Sequence, residues 1–254
     1  MPEISVAERP GLGPDGRPRP SEDHVVVLDN AVLLLDGATS PSPRLPSGGW
    51  YAGLLTERLA HDLRADPDVK LGELLATAIT EVATAHELRP GHAPSSTVTI
   101  LRWRADTVDA LVLADSPVVA FGPEGPQVLS DDRITTLRGE GRLRTGTDVR
   151  ALRNAEGGFW VAEADPAAAR QARRASWPRD RLEAALLATD GVAVGVDDYH
   201  LFDWPGMLAL ARARGPRAVL DEVRAAEEAD PQGYRWPRAK RHDDQALVLV
   251  EFDR

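Results

Sequence analysis

Five acidic positions in this chain stand where an apolar run meets a loop. Glu22-Asp23 precedes HVVVLD, Asp36 closes AVLLLD, Asp115 closes ALVLAD, Asp190 closes AALLATD, and Asp243-Asp244 opens onto QALVLV. Short runs rich in Val, Leu and Ala, bounded by turn residues, read as buried strands. A carboxylate at a strand end is carried by a rigid sheet, so acidic residues distant in sequence can be brought together with little positional freedom. Gathered without basic partners they repel one another unless a cation neutralises them. Taken singly, Asp36-Gly37 and Asp190-Gly191 are equally ordinary turns, because Asp and Gly favour turn geometry, and Glu22-Asp23 could be solvated surface. The order and setting of all five together carry the signal.

Composition restricts the cation. There is no cysteine, so thiolate ligands and disulfides are excluded, and oxygen-rich sites suit hard ions such as magnesium or manganese. The net charge of -10 makes the average surface repel nucleic acid, anionic membrane and phosphate alike, so a phosphate-handling site would need its own positive charge. No window approaches the ~18 apolar residues of a membrane span, and the N-terminus lacks an apolar signal core; no nucleic-acid or membrane partner is expected, and cytoplasm is the expected compartment.

Along the 254 residues, residues 1–20 (with PGLGPDGRPRP) read as an extended Pro/Gly-rich arm, and residues 21–254 as one domain. Asp29-Asn30 joins two strands in a hairpin. A Pro/Ser-rich loop (SPSPRLPSGG) follows Asp36. Leucines at 54, 55, 59 and 63, and apolar residues at 71, 74, 75, 79 and 82, then predict two amphipathic helices. STVTILRWR, TVDALVLADS, PVVAFG and PQVLSD predict an antiparallel meander. Residues 131–178 predict an irregular, partly mobile flap around one strand-like island, FWVAEAD. A buried strand ending in TDG, helices over 204–214 and 217–228, and a last strand complete the chain. Strands on either side of a helical block, without regular βαβ alternation, argue for an α+β fold of antiparallel sheets with helices on their outer faces.

The series SED, DGATS, SSTVTIL, LVLADSPVVAF, LLATDG and HDDQALVLV resembles, in order and over nearly the whole chain, the type 2C (PPM-type) metal-dependent serine/threonine protein phosphatases. The resemblance implies two packed antiparallel sheets flanked by helices, a four-layer αββα sandwich. It also implies two Mn2+ or Mg2+ ions: Asp36 bridging both, the Gly37 carbonyl adding a ligand, Asp190 and Asp243 completing the second, and Glu22 and Asp23 holding metal-bound waters. Asp115, with Asp190, matches the position of a third, weaker cation. Asp243 is preferred to Asp244 by its alignment with the last strand, with the neighbour left open. The implied chemistry is attack by a bridging water, since paired cations ~3.5–4 Å apart lower its pKa and offset charge on both phosphate oxygens.

Several positions depart from the family pattern. The phosphate-gripping arginine falls at Pro18, flanked by Arg17 and Arg19, either of which could make the bidentate contact. The histidine that follows the DG pair in eukaryotic relatives is Ala38 here, which makes His242 a candidate acid or a structural histidine. The GDS motif is Ala114-Asp115-Ser116, and Thr97 is expected to pack near the site. Trp103 and Trp160 read as core; Trp177, Trp204 and Trp236 either anchor loops or line a groove. The basic stretch Arg170 to Arg181 reads as a solvated helix face or a contact for an acidic partner. The implied activity is phosphomonoester hydrolysis on a phosphorylated protein. The alternatives are a small phosphorylated molecule as substrate, or a phosphatase-fold binding module without turnover.

Overall fold

The computed structural model describes residues 1–13, 15–38 and 45–253. The Pro/Ser-rich loop expected after Asp36 falls largely on residues 39–44, outside the described residues. The chain order is β1 (Glu3–Arg9), β2 (Asp23–Val27), β3 (Ala31–Asp36), α1 (Gly48–Ala65), α2 (Leu71–Ala85), β4 (Val98–Trp103), β5 (Thr107–Leu113), β6 (Val118–Gly122) and β7 (Gly125–Leu129). It continues with α3 (Arg133–Gly139), α4 (Gly146–Leu152), β8 (Arg173–Pro178), β9 (Ala184–Ala188), α5 (Asp190–Asp197), α6 (Trp204–Arg214), α7 (Pro216–Ala229) and β10 (Gln245–Glu251). The strands form two five-stranded sheets, β2-β3-β4-β5-β8 and β1-β10-β9-β6-β7, antiparallel at every pairing.

The uninterrupted apolar runs arise because both faces of the central strands are covered. In β3, Val32 and Leu34 enter the core between the sheets, whereas Ala31, Leu33 and Leu35 pack under α1 and α2. In β10, Ala246, Val248 and Val250 face the other sheet, while Leu247 and Leu249 pack against the helices that follow Asp190. Alternation between two buried faces leaves no polar face to break the run. The result is the αββα sandwich expected from sequence. Among the described residues no helix is long and apolar enough to cross a membrane.

Four local expectations change. Residues 3–9 are not an arm outside the fold: β1 pairs along its whole length with β10, because Ile4 reaches the inter-sheet core and Ala7 the helical side. The meander is split into two hairpins on different sheets, β4-β5 and β6-β7. The chain crosses between them at Ala114, whose φ of 69° is left-handed, and Pro117. The flap region contains α3, α4 and a terminal strand. Its island FWVAEAD forms isolated bridges, Arg153 with Phe159 and Ser96 with Ala162, around a small core of Ala114, Ile134, Leu137, Phe159 and Val161. The basic stretch is no helix face either, since Arg173–Pro178 form edge strand β8 beside β5; Trp177 there packs between the sheets and donates from Nε1 to Gln127 on β7 (2.8 Å).

Candidate active site

The site is assembled at the ends of strands from both sheets. Asp23 and Asp36 are direct cross-strand partners on β2 and β3, and cross-strand partners share a face. By alternation from Val32 and Leu34, that face looks toward the second sheet. Asp36 is held through its backbone: its N–H donates to Thr97 Oγ1 (3.0 Å), and its carbonyl accepts from Ser96 Oγ (2.8 Å) and Thr97 N (2.9 Å). Thr97 Oγ1 also shares a hydrogen bond with Ser116 Oγ (2.8 Å), next to Asp115. Thr97 is therefore more than packing, because it ties the Asp36 strand end to the Asp115 loop.

Backbone proximity explains the adjoining glycines. A Cβ on Gly37 would lie 2.3 Å from the carbonyl carbon of Gly48, so the start of α1 rests directly on the end of β3. Gly49 N donates to Glu22 Oε1 (3.4 Å), and Gly37 N to the Glu22 carbonyl (3.0 Å). Gly48 and Gly49 escaped sequence reading because Gly48 abuts the backbone of Gly37 and Ala38 and Gly49 abuts Glu22, 27 residues upstream, contacts that leave no periodic pattern.

From the second sheet, Thr189 follows β9 and links the two halves. Its hydroxyl donates to Asp23 Oδ2 (2.9 Å) and accepts from Ala246 N (2.9 Å). Asp190 is the first residue of α5, a helix unforeseen in the sequence, where the N-terminal turn favours a carboxylate. A Cβ on Gly191 would fall 2.0 Å from the Asp244 carbonyl oxygen, so only glycine permits the approach that sets Asp190 against the Asp243 segment.

Asp243 and Asp244 have different surroundings. Asp244 is buried, and its carboxylate accepts from Gly11 N (2.6 Å), Glu22 N (3.3 Å) and Arg19 Nη2 (2.5 Å). Asp243 is more open; its Oδ1 pairs with Lys240 Nζ (2.7 Å), accepts from Asp244 N (2.9 Å) and lies 3.5 Å from Arg19 Nη2. Asp243 is among the charges acting on Asp36 and Asp190.

Burial and mutual repulsion raise these carboxyls. Asp23 is pushed well above its ordinary range by desolvation, then by Asp244 and Asp190; Asp36 by desolvation, then by Asp23 and Asp190. Asp190 is raised by desolvation and Asp243, against the opposing effects of Lys240 and a side-chain hydrogen bond with Asp36. Two carboxyls in hydrogen-bond contact need a shared proton or a cation. Asp23 Oδ1 is buried without a hydrogen-bond partner, which ordinary folding avoids. An oxygen-only donor set with such an orphaned atom fits a hard divalent cation. Among the described residues, no group of three or more acidic or imidazole side chains converges closely enough to hold a metal ion in this arrangement: Asp23 bonds to Thr189, Asp36 to Asp190, and Asp243 to Lys240.

Asp115 shows what this means for stability. Desolvation, then Asp190, pushes its carboxyl up to about 7 from an ordinary value of 3.8. Between those values the folded chain retains a proton that the unfolded chain has released. Its contribution is complete below about pH 4 and is lost as the pH rises through about 7. Asp115→Asn is therefore expected to flatten the fall in Tm of the metal-free protein between about pH 5 and 7.5, measured by thermal denaturation in chelator; a profile parallel to wild type would remove this role.

The other expected site residues lie as follows. Arg19 bridges Glu22 (2.9 Å) and Asp244 (2.5 Å), so its guanidinium is committed to the protein's own carboxylates. Arg17 is exposed. His242 is buried and bonds through Nδ1 to Glu227 Oε2 (2.7 Å), which also receives Arg224 (3.2 Å); it anchors the approach to β10 from α7 and is not placed as an acid. Ala38 N donates to the Ser95 carbonyl (2.9 Å). Trp236 stacks on Tyr199 with centroids 4.9 Å apart, and Trp204 packs among the outer helices; both anchor loops. A residue missed in the sequence is Arg138 on α3, whose charge acts on Asp115 and Asp190.

Two five-stranded antiparallel sheets flanked by helices are the fold of PPM-type serine/threonine phosphatases, and the chain has that fold. The Mycobacterium tuberculosis serine/threonine phosphatase PstP/Ppp superposes with a TM-score of 0.63 at 16% identity, over 100% of this chain and 99% of that one. Its catalytic domain in complex with two manganese ions gives 0.60 at 16%, over 98% and 97%. The PPM Ser-Thr phosphatase MsPP from Mycobacterium smegmatis, in complex with cacodylate, gives 0.63 at 15%, over 99% and 98%. No protein-family model matches the chain, and no curated protein matches it by sequence.

Proposed function

We propose that this protein is a metal-dependent phosphomonoesterase that removes phosphate from serine and threonine side chains of proteins. The observation that carries the reading is the half-buried Asp36 and Asp190 pair, on which the charges of Asp23 and Asp243 also act, on the fold of a phosphatase crystallised with two manganese ions. Asp36 would hold both cations with the Gly37 carbonyl, and Asp190 and Asp243 would complete the second. Asp23 would hold bound water through the Oδ1 atom that lacks a partner. Asp115 with Asp190 would take a third, weaker cation.

Bound there, Mn2+ or Mg2+ would supply Lewis acidity, neutralising phosphate charge and lowering the pKa of water. The chain's own residues position and balance that charge. Thr97 fixes the Asp36 strand end, Thr189 fixes Asp23, and Glu22 carries Arg19 against the floor of the site. Arg138, outside this framework, supplies a positive charge that acts on Asp115 and Asp190, which a chain of net charge -10 needs for an anionic substrate.

The purified protein is expected to hydrolyse para-nitrophenyl phosphate with added manganese and to lose that activity in excess chelator. It is also expected to release phosphate from phosphoserine and phosphothreonine peptides. No turnover on any of these with manganese present would refute the enzymatic reading; turnover confined to phosphorylated metabolites would shift the substrate class and keep the chemistry.

A further inference from the structure

The segment between α7 and β10, residues 230–244, carries a lysine into the acidic cluster. Lys240 Nζ lies 2.7 Å from Asp243 Oδ1, and the side chains are only 35% and 27% exposed. The negative charges of Asp36 and Asp190 act on the same ammonium. The carbon stem is thus drawn inward, although lysine on a loop ordinarily extends into water.

The segment is built to hold this position. Asp230 accepts the backbone N–H groups of Tyr234 (2.9 Å), Arg235 (3.2 Å) and Trp236 (3.0 Å). Arg238 then ties the turn together, donating to the Trp236 carbonyl (3.0 Å), the Glu227 carbonyl (3.0 Å) and the Arg241 carbonyl (3.1 Å). On the far side of Lys240, buried His242 is fastened to Glu227, and Arg224 donates to the Asp243 carbonyl (3.0 Å). Lys240 is consequently delivered from anchors on both sides.

We propose that Lys240 is an internal counter-ion for the metal site: its ammonium holds Asp243 in the metal-free protein, and a divalent cation must displace it before Asp243 can act as a ligand. This rests on the metal-site reading above. Lys240 makes the closer contact to Asp243 Oδ1, at 2.7 Å against 3.5 Å for Arg19, whose guanidinium is shared with Glu22 and Asp244, and its charge also offsets part of the field of Asp36 and Asp190, so the chain folds without requiring every carboxyl to be protonated. The same pair competes with a cation for Asp243. The cation that depends on Asp243 should therefore bind more weakly than one held by Asp36 alone, and the site should fill in two distinguishable steps.

The test is calorimetric titration of manganese into the full chain, alongside the manganese-induced rise in Tm, for wild type, Lys240→Gln, Lys240→Arg and Asp36→Asn. Lys240→Gln is expected to tighten the weaker manganese step about tenfold, equivalent to about 1.4 kcal/mol, to lower the Tm of the metal-free protein, and to enlarge the manganese-induced rise. Lys240→Arg retains the charge and should stay close to wild type, which separates ion pairing from a packing defect. Equal affinities and steps in wild type and Lys240→Gln, with manganese binding still weakened by Asp36→Asn, would overturn the role of Lys240 and leave the phosphatase reading standing. No manganese binding by any of the four proteins would remove the metal site and this proposal with it.

Discussion

Asp36→Asn is expected to lower manganese-dependent phosphate release by at least about a thousandfold while leaving the metal-free protein more stable than wild type. Both effects have the same origin. Asp36 is the carboxyl on which desolvation and the charges of Asp23, Asp190, Asp243 and Asp115 all bear. In the loaded site it would be the only residue shared between the two cations, so its loss would remove the bridge. In the metal-free chain, its charge costs stability because it is desolvated among the carboxylates of Asp23, Asp190, Asp243 and Asp115. The amide keeps the size of the side chain, so the Thr97 and Ser96 contacts, which are to the Asp36 backbone, are retained. Turnover with para-nitrophenyl phosphate and Tm in chelator check the two halves, and a variant as active as wild type would withdraw Asp36 from the chemistry.

Arg19→Ala is expected to destabilise the fold by about 2–4 kcal/mol, because removing one member of a largely buried ion-pair network leaves the other charges uncompensated. That corresponds to a fall in Tm of roughly 5–10 °C for a chain of this size. Arg19 joins the segment before β2 to the start of β10 through Glu22 and Asp244, and Asp244 is itself 3% exposed. Arg17→Ala, at an exposed position, should leave Tm unchanged. The variants Arg19→Ala and Asp244→Ala should be strongly non-additive when combined, since each already breaks the same pair. Chemical denaturation of the two single variants and the double variant measures this. If Arg19→Ala raised KM for phosphopeptides with Tm unaltered, Arg19 would be a substrate contact and not a structural one.

The two arginines separate what spacing can and cannot convey. Sequence resemblance placed a phosphate-gripping cation at Pro18 and so offered both neighbours. Which of them faces inward depends on where Asp244 lies, 225 residues away. His242 presents the same problem. Its position beside Asp243 suggested a part in chemistry, yet the side chain turns toward Glu227 on α7, and nothing in HDDQ specifies the direction.

Lys240 was passed over for a related reason. A lysine in a polar segment is ordinarily solvated, and only the anchors at Asp230 and Arg238 bring this one to Asp243. Arg138 was hidden inside the region expected to be irregular, where short helices α3 and α4 fold around Ile134, Leu137 and Phe159. The edge strands β1 and β8 were missed because they carry polar side chains on an open edge. Their assignment follows from pairing with β10 and β5, which is a property of the partner strand and not of their own residues.

The sequence by itself determined the layers and the acidic strand ends. A strand covered on both faces must be apolar at every position, and a helix covered on one must be apolar every third or fourth, so both leave a local signature that needs no partner to be read. It likewise determined that any resident cation is held by oxygen or imidazole, since no thiol is available. How the five acidic sites are shared out is a property of the folded chain: Asp23, Asp36, Asp115 and Asp190 act on one another, Asp244 pairs with Arg19, and Asp243 lies between Lys240 and Arg19. Those assignments depend on register, on the direction of side chains and on approaches between residues as far as 225 positions apart. Electrostatic and hydrogen-bond partners chosen at that range are set by the packing of the two sheets, because packing fixes which charges share a buried volume before any single residue can select its neighbour.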